Sequence, residues 1–107
     1  MNEIVKLSML LEIYKNLITE KQRDVLNLYY NEDMSLAEIA DEFGISRQAV
    51  RDNIKNGEKN LINYEEKLKV FDKKTRMLEV LDNIDDENID IKSLKTKLNK
   101  IKRILEE

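Results

Sequence analysis

The chain has 107 residues and a formal net charge of −3, with 38% charged and 41% hydrophobic residues, two Gly and no Pro, Cys or His. That length supports one small domain, or one with an appendage, around a modest core. Without Cys or His there is no disulfide framework, thiolate zinc site, cysteine nucleophile or imidazole proton shuttle, so neither catalysis nor a bound cofactor or metal is expected.

The scarcity of Gly and Pro points to an all-α chain of helices joined by short polar turns. No apolar run approaches the roughly 20 residues needed to cross a bilayer, and the N-terminus lacks a basic region followed by an apolar core and cleavage site. A cytoplasmic location is expected.

Residues 3–15 carry Ile4, Leu7, Leu11 and Tyr14 on one stripe, widened by Val5, Leu10 and Ile13. The spacing predicts a helix broader than a narrow seam, either central to the core or facing a second chain as well. The second predicted helix runs from Ile18 to Asn31, opened by Thr19 with Gln22 three residues on, a capping box. Val25, Leu26, Leu28 and Tyr29 form its inner side, with Tyr30 toward the edge. Lys21 and Arg23 near its start are candidate phosphate contacts, although lone surface cations are more often simply solvated.

Ser35 opens the next helix, with Glu38 three residues later as a second capping box and Met34 and Ile39 in staple positions. Leu36, Ile39, Ala40 and Phe43 recur at helical spacing, and Gly44 follows as the residue type that accepts the left-handed conformation ending a helix. Ser46 then caps a fourth helix with Ile45 and Val50 as its staple and Val50 and Ile54 inward. Arg47, Gln48, Arg51 and Lys55 are left on the outer face. Two short helices around such a turn form a helix-turn-helix, whose second helix fits the major groove of DNA. Arg can hold guanine in bidentate fashion and Gln can hold adenine. Ser46, Arg47, Gln48, Arg51 and Lys55 are therefore the candidate nucleic-acid-binding residues.

Gly57 weakens a helix by about 1 kcal/mol, yet apolar residues resume at Leu61, Ile62, Tyr64, Leu68, Phe71 and Leu78, so the pattern predicts a long helix bent near residues 73–76 and ending close to Asn83. This seam resembles half of a coiled pair, formed within the chain or with a second copy. Residues 82–90 are acidic and read as a loop. Asp90 is a cap, with Ile89 and Leu94 as a staple, for a final helix with Ile91, Leu94, Leu98, Ile101 and Leu105 on one stripe and Lys92, Lys95, Lys97, Lys100, Lys102 and Arg103 opposite. That helix either docks on the preceding one or offers a phosphate-binding or partner-binding face. The organisation expected is a helix-turn-helix domain over 1–62 and a helical extension over 63–107, packed on the same unit or in a dimer.

Charge is unevenly spread. Residues 19–45 sum to −5, 46–76 to +4, 77–90 to −6 and 91–107 to +4. The positive segment begins at the outer face of the fourth helix, while the acidic balance, with pI near 5.2, limits non-specific attraction to phosphate.

The run LITEKQRDVLNLYYNEDMSLAEIADEFGISRQAVRDNIKNGEK, Leu17 to Lys59, resembles region 4 of bacterial sigma factors and, more specifically, the YlxM family of small helical bacterial proteins. The YlxM likeness rests on the TEKQR start, the LYYNED turn and the SLAEIA, GISRQAV and NIK segments, and it extends from near Met1 to about Leu68. It implies a sigma region 4-like trihelical domain with a helical extension, and a link to the signal recognition particle pathway through gene neighbourhood. Departures from the sigma pattern are also present. Asp52 stands beside Arg51, only Lys55 is basic where further cations are usual (Asn56 and Glu58 follow), and no region 2 is present, so the chain is not itself a sigma factor.

Two readings follow. One is a regulatory protein binding duplex DNA, or the particle's RNA, through residues 46–55, with particle components among its partners. The alternative is a protein-interaction or dimerisation module that uses the helix-turn-helix as a scaffold. A homodimer would unite them, because paired recognition helices engage half-sites roughly 34 Å apart.

Overall fold

The computed structural model describes residues 2–84 and 88–107. All regular structure among them is helical: α1 (Glu3–Tyr14), a 3-10 turn (Lys15–Leu17), α2 (Glu20–Tyr30), α3 (Leu36–Phe43), α4 (Arg47–Leu68), α5 (Val70–Asp82) and α6 (Ile91–Leu105). The chain divides into two compact units, one up to Leu68 and the other Lys69–Glu107.

In the first unit the helix starts follow from local chemistry. The Thr19 hydroxyl accepts from Gln22 N–H at 3.1 Å while the Gln22 side chain accepts from Thr19 N–H at 3.3 Å. Ser35 and Glu38 repeat the exchange at 3.1 Å in both directions, which satisfies N–H groups that a helix start leaves without partners. Between these helices, Asp33 takes a left-handed backbone (φ 53) and Met34 N–H donates to Leu28 carbonyl at 3.1 Å.

The core of this unit is assembled around α4, which packs against α1, α2 and α3. Val25, Leu26, Ile39, Val50 and Leu61 are fully enclosed, and Leu7, Leu10, Leu11, Tyr14, Ala40 and Ile54 are buried with them. Ile4 and Val5, expected on or beside the buried stripe of α1, are exposed at 51% and 44%. They sit in the first turn of α1, and Leu10 takes a central place instead. On α2, Tyr30 rather than Tyr29 turns inward, because it lies on the side facing α4, where its hydroxyl donates to Glu58.

Gly57 has a packing reason that periodicity does not disclose. It is buried in the middle of α4, where a Cβ would stand 2.7 Å from Leu26 Cδ1 and 3.3 Å from Leu26 Cγ. The absent side chain lets α2 and α4 approach closely.

The second unit is the hairpin of α5 and α6. The helix break comes at Lys69, which has φ 54, rather than near residues 73–76. A left-handed lysine costs roughly 1–2 kcal/mol, and with neither Gly nor Pro at the break there is no local sequence signal for it. The long seam is interrupted as well, since Leu68 and Leu78 are 47% and 49% exposed. Lys73 Nζ donates to the Glu107 carbonyl at 3.2 Å and Arg76 Nη1 to the Glu107 carboxylate at 2.7 Å, which brings the start of α5 to the end of α6 and makes the pair antiparallel. The Asp90 carboxylate caps α6 by accepting from Ser93 N–H at 2.7 Å, and this bond holds its pKa below the ordinary value. The expected stripe of α6 is only partly inward: Leu94 and Ile101 are half-buried, whereas Ile91, Leu98 and Leu105 are exposed, and Ile104, outside that stripe, is the residue buried. The middle of the expected 82–90 loop, residues 85–87, lies outside the described residues.

Gly57→Ala tests the helix crossing. Propensity alone favours alanine by about 1 kcal/mol, while overpacking an enclosed Leu26 costs about 1–3 kcal/mol. The expected result in chemical denaturation is net destabilisation by about 1 kcal/mol; stabilisation would show that the crossing is not tight.

Candidate nucleic-acid interface

The turn between α3 and α4 is set by Gly44, with φ 63 and ψ 36, and by Ile45 N–H donating to Ala40 carbonyl at 3.1 Å. Ser46 then starts α4, its hydroxyl accepting from Ala49 N–H at 3.0 Å. Ser46 is thus exposed but committed to the cap. Arg47, Gln48, Arg51 and Lys55 are all exposed on the first two to three turns of α4. At about 100° per residue they fall within an arc of roughly 100°, about a quarter-turn round the helix from buried Val50 and Ile54. Among the described residues none of these three cations has an ion-pair partner.

The rotation of α4 about its own axis is fixed from behind. Tyr14 hydroxyl donates to Glu65 Oε1 at 2.7 Å, Tyr30 hydroxyl to Glu58, and Tyr64 hydroxyl to the Leu17 carbonyl at 2.8 Å. The Tyr14 and Tyr64 rings lie 6.0 Å apart between centroids, within the range of favourable aromatic pairs. These contacts bind α4 to α1, the 3-10 turn and α2, and the outward residues inherit their direction from them.

The face also carries a negative element. Asp52 is exposed and its Oδ1 accepts from Gln48 Nε2 at 3.0 Å. The bond occupies one of the two N–H groups of Gln48, leaving the other and the amide oxygen available. Asp52 also sets a carboxylate beside the cations. Neighbouring α3 adds exposed Glu38, Asp41 and Glu42, so the cationic area is narrow. Lys21 is exposed, whereas Arg23 is half-buried and its guanidinium donates to Asn16 Oδ1 at 3.5 Å.

Sequence reasoning identified the outward set but missed the tyrosine–carboxylate struts behind it. A tyrosine on one helix and a glutamate 28 or 51 residues later on another share no local pattern. Among the described residues no group of three or more carboxylates is placed to hold a metal ion, and no helix is long and apolar enough to cross a membrane.

Burial pushes the Tyr30 phenol above its ordinary pKa, and the adjacent Glu58 carboxylate pushes in the same direction. The folded state therefore favours the protonated phenol. The resulting stability is complete below the ordinary value of about 10 and is lost as pH rises further. Urea unfolding at stepped alkaline pH is expected to show a shallower loss of stability in Tyr30→Phe than in the wild type; identical slopes would contradict this role.

Comparison with known proteins agrees with the helix-turn-helix geometry. Residues 1–101 match a family described as "Putative helix-turn-helix protein, YlxM / p13 like". The UPF0122 protein of Clostridium kluyveri is 53% identical over 79 residues, covering 74% of this chain and 71% of that protein. The UPF0122 protein YofM of Lactococcus lactis is 46% identical over 102 residues, covering 95% of this chain and 92% of its own. A third relative, from Halalkalibacterium halodurans, is 46% identical over 84 residues, or 76% of this chain and 77% of its own. The chain belongs to the UPF0122 family of YlxM/p13-like helix-turn-helix proteins.

Proposed function

We propose that this chain is a non-enzymatic regulatory protein that binds duplex DNA through the outer face of α4, with Arg47, Gln48, Arg51 and Lys55 as the contacting side chains. The observation that carries this reading is the set of Arg47, Arg51 and Lys55, without ion-pair partners among the described residues, beside Gln48, exposed at the start of a helix whose inner side is locked by three others. Such a helix enters a B-form major groove with its first turns against base edges. Arginine supplies bidentate recognition of guanine and the remaining amide groups of Gln48 suit adenine. The cations release counterions from the phosphates they neutralise.

The resemblance of residues 17–59 to sigma region 4 supports the same docking geometry. The YlxM resemblance supports a role in, or regulation of, the signal recognition particle pathway. The particle's RNA is the alternative ligand, and there α4 would meet loops, backbone and 2′-hydroxyls, because the deep major groove of A-form RNA does not admit a helix. A second reading, an interaction module on a helix-turn-helix scaffold, is favoured by the acidic overall balance and by the exposed leucines of α5 and α6.

Fluorescence anisotropy with random duplex DNA and with signal recognition particle RNA, across a salt series, tests the proposal. Arg47→Ala and Arg51→Ala are expected to weaken duplex binding by about 1–3 kcal/mol each where they read bases, or to lower the salt slope by about one where they touch phosphate. Unchanged affinity in the double variant would contradict the proposal.

Asp52→Asn keeps an acceptor for Gln48 and removes the charge. It is expected to tighten binding to random duplex by up to about 1 kcal/mol at low salt, and weaker binding would show that the carboxylate does not face phosphate.

A further inference from the structure

α6 concentrates positive charge that the fold does not neutralise. Its 15 residues hold Lys92, Lys95, Lys97, Lys100, Lys102 and Arg103, six of the 19 cations of the chain, and no carboxylate. Lys97 is half-buried and the other five are exposed. Among the described residues none of the six has an ion-pair partner. On α5, by contrast, Arg76 is held between Asp72 and Glu107. The acids flanking α6 are largely committed elsewhere: Asp90 caps the helix start and the Glu107 carboxylate receives Arg76, while Glu106 is exposed at the C-cap. Lys92 and Lys95, Lys97 and Lys100, and Lys100 and Arg103 stand three residues apart, where like charges face each other and repel.

The five exposed cations occupy one arc. Counting round the helix from buried Ile104 at 100° per residue, Lys102 and Lys95 come at roughly 160° and 180°, Lys92 and Arg103 at roughly 240° and 260°, and Lys100 at roughly 320°. The other residues in that arc are Thr96, Asn99, Glu106 and Glu107, so no aliphatic or aromatic side chain interrupts it. The exposed aliphatic row of Ile91, Leu98 and Leu105 lies outside it, at about 100–140°. Along the axis Lys92 and Arg103 are roughly 16 Å apart at 1.5 Å per residue.

That arc selects its occupant. A protein interface is built on a desolvated apolar or aromatic centre, and lysine is depleted from such surfaces; this arc has four lysines and no apolar residue. A lipid surface takes up a helix by its apolar row with the cations alongside, but the middle of the cationic arc points about 120° away from Ile91, Leu98 and Leu105. A run of phosphodiesters requires unpaired cations spread along a line, and counterion release drives their contact. α6 has no aromatic side chain to stack on a base, and lysine acts on phosphate as a point charge.

We infer that the outer face of α6 binds the phosphate backbone of duplex DNA without reading its bases. The inference rests on nucleic acid being the ligand of this chain, and adds to base contact by α4 a sequence-indifferent contact made by the other unit. Contacts of this kind position a protein on a duplex and carry no direct sequence information.

Fluorescence anisotropy of the full chain with random-sequence duplex DNA over a salt series is the test. Lys92→Gln/Lys95→Gln/Arg103→Gln is expected to lower the slope of log affinity against log salt by about two to three, at about 0.9 per phosphate contact, and to weaken binding roughly tenfold or more at low salt for every duplex sequence. Lys92→Arg/Lys95→Arg is expected to keep both slope and affinity, and helical circular dichroism is expected in both variants. Should the triple variant lose helicity, Lys92→Gln and Lys95→Gln singly, each lowering the slope by about one, decide the matter. An unchanged slope in the α6 variants alongside a loss in Arg47→Ala/Arg51→Ala would overturn this inference and leave the α4 reading standing; the reverse pattern would uphold it and remove the α4 reading. Loss of binding to phosphatidylserine vesicles, but not to duplex, in the triple variant would overturn it in favour of a lipid surface. Absence of wild-type binding to duplex at low salt would overturn both readings.

Discussion

The close approach of α2 and α4 at Gly57 is the constraint on which the first unit depends. α4 serves at once as the central strut of the core and as the outward helix of the helix-turn-helix. Its inner side must pack on three helices while its first turns project side chains from the same rigid rod. Leu26 occupies the space that a side chain at position 57 would need. Helix propensity is given up at this point for proximity, and the roughly 1 kcal/mol lost locally is offset by burial of Val25, Leu26, Val50 and Leu61, each of which contributes about 1.5–3 kcal/mol.

From that crossing the direction of the outward face of α4 follows. With Val50 and Ile54 held inward, Arg47, Arg51 and Lys55 have only one direction available, and the tyrosine hydroxyls of Tyr14 and Tyr30 reinforce it by bonding carboxylates further along α4. A face fixed in this way costs little to order when a ligand arrives. Its charge is modest, and Asp52 makes it more so. Such a surface suits binding selected by geometry and base contact more than indiscriminate adhesion to phosphate.

Much of this unit was legible in the chain because its signals are local. Capping boxes at Thr19 and Ser35, the left-handed Gly44, the Ser46 cap and the outward set on α4 all arise from residues within one or two turns of each other. What escaped depends on distant partners. Tyr29 and Tyr30 are adjacent and chemically alike, and which of them turns inward depends on the side of α2 that α4 covers, where Glu58 receives the Tyr30 hydroxyl. The break at Lys69 has no breaker residue, and the inward side of α6 is set by α5 rather than by the most regular stripe, so Ile104 is buried where Leu98 and Leu105 are not. Gly57 read as a weakness because its cause lies on another helix.

The proposal that a nucleic acid meets this protein on the outer face of α4 is open to direct observation. Amide chemical-shift mapping of the isotopically labelled chain, titrated with a duplex DNA, addresses it most directly. The largest changes are expected on residues 46–55. Changes confined to α5 and α6, or no changes at low salt, would contradict it and leave the helix-turn-helix as a scaffold.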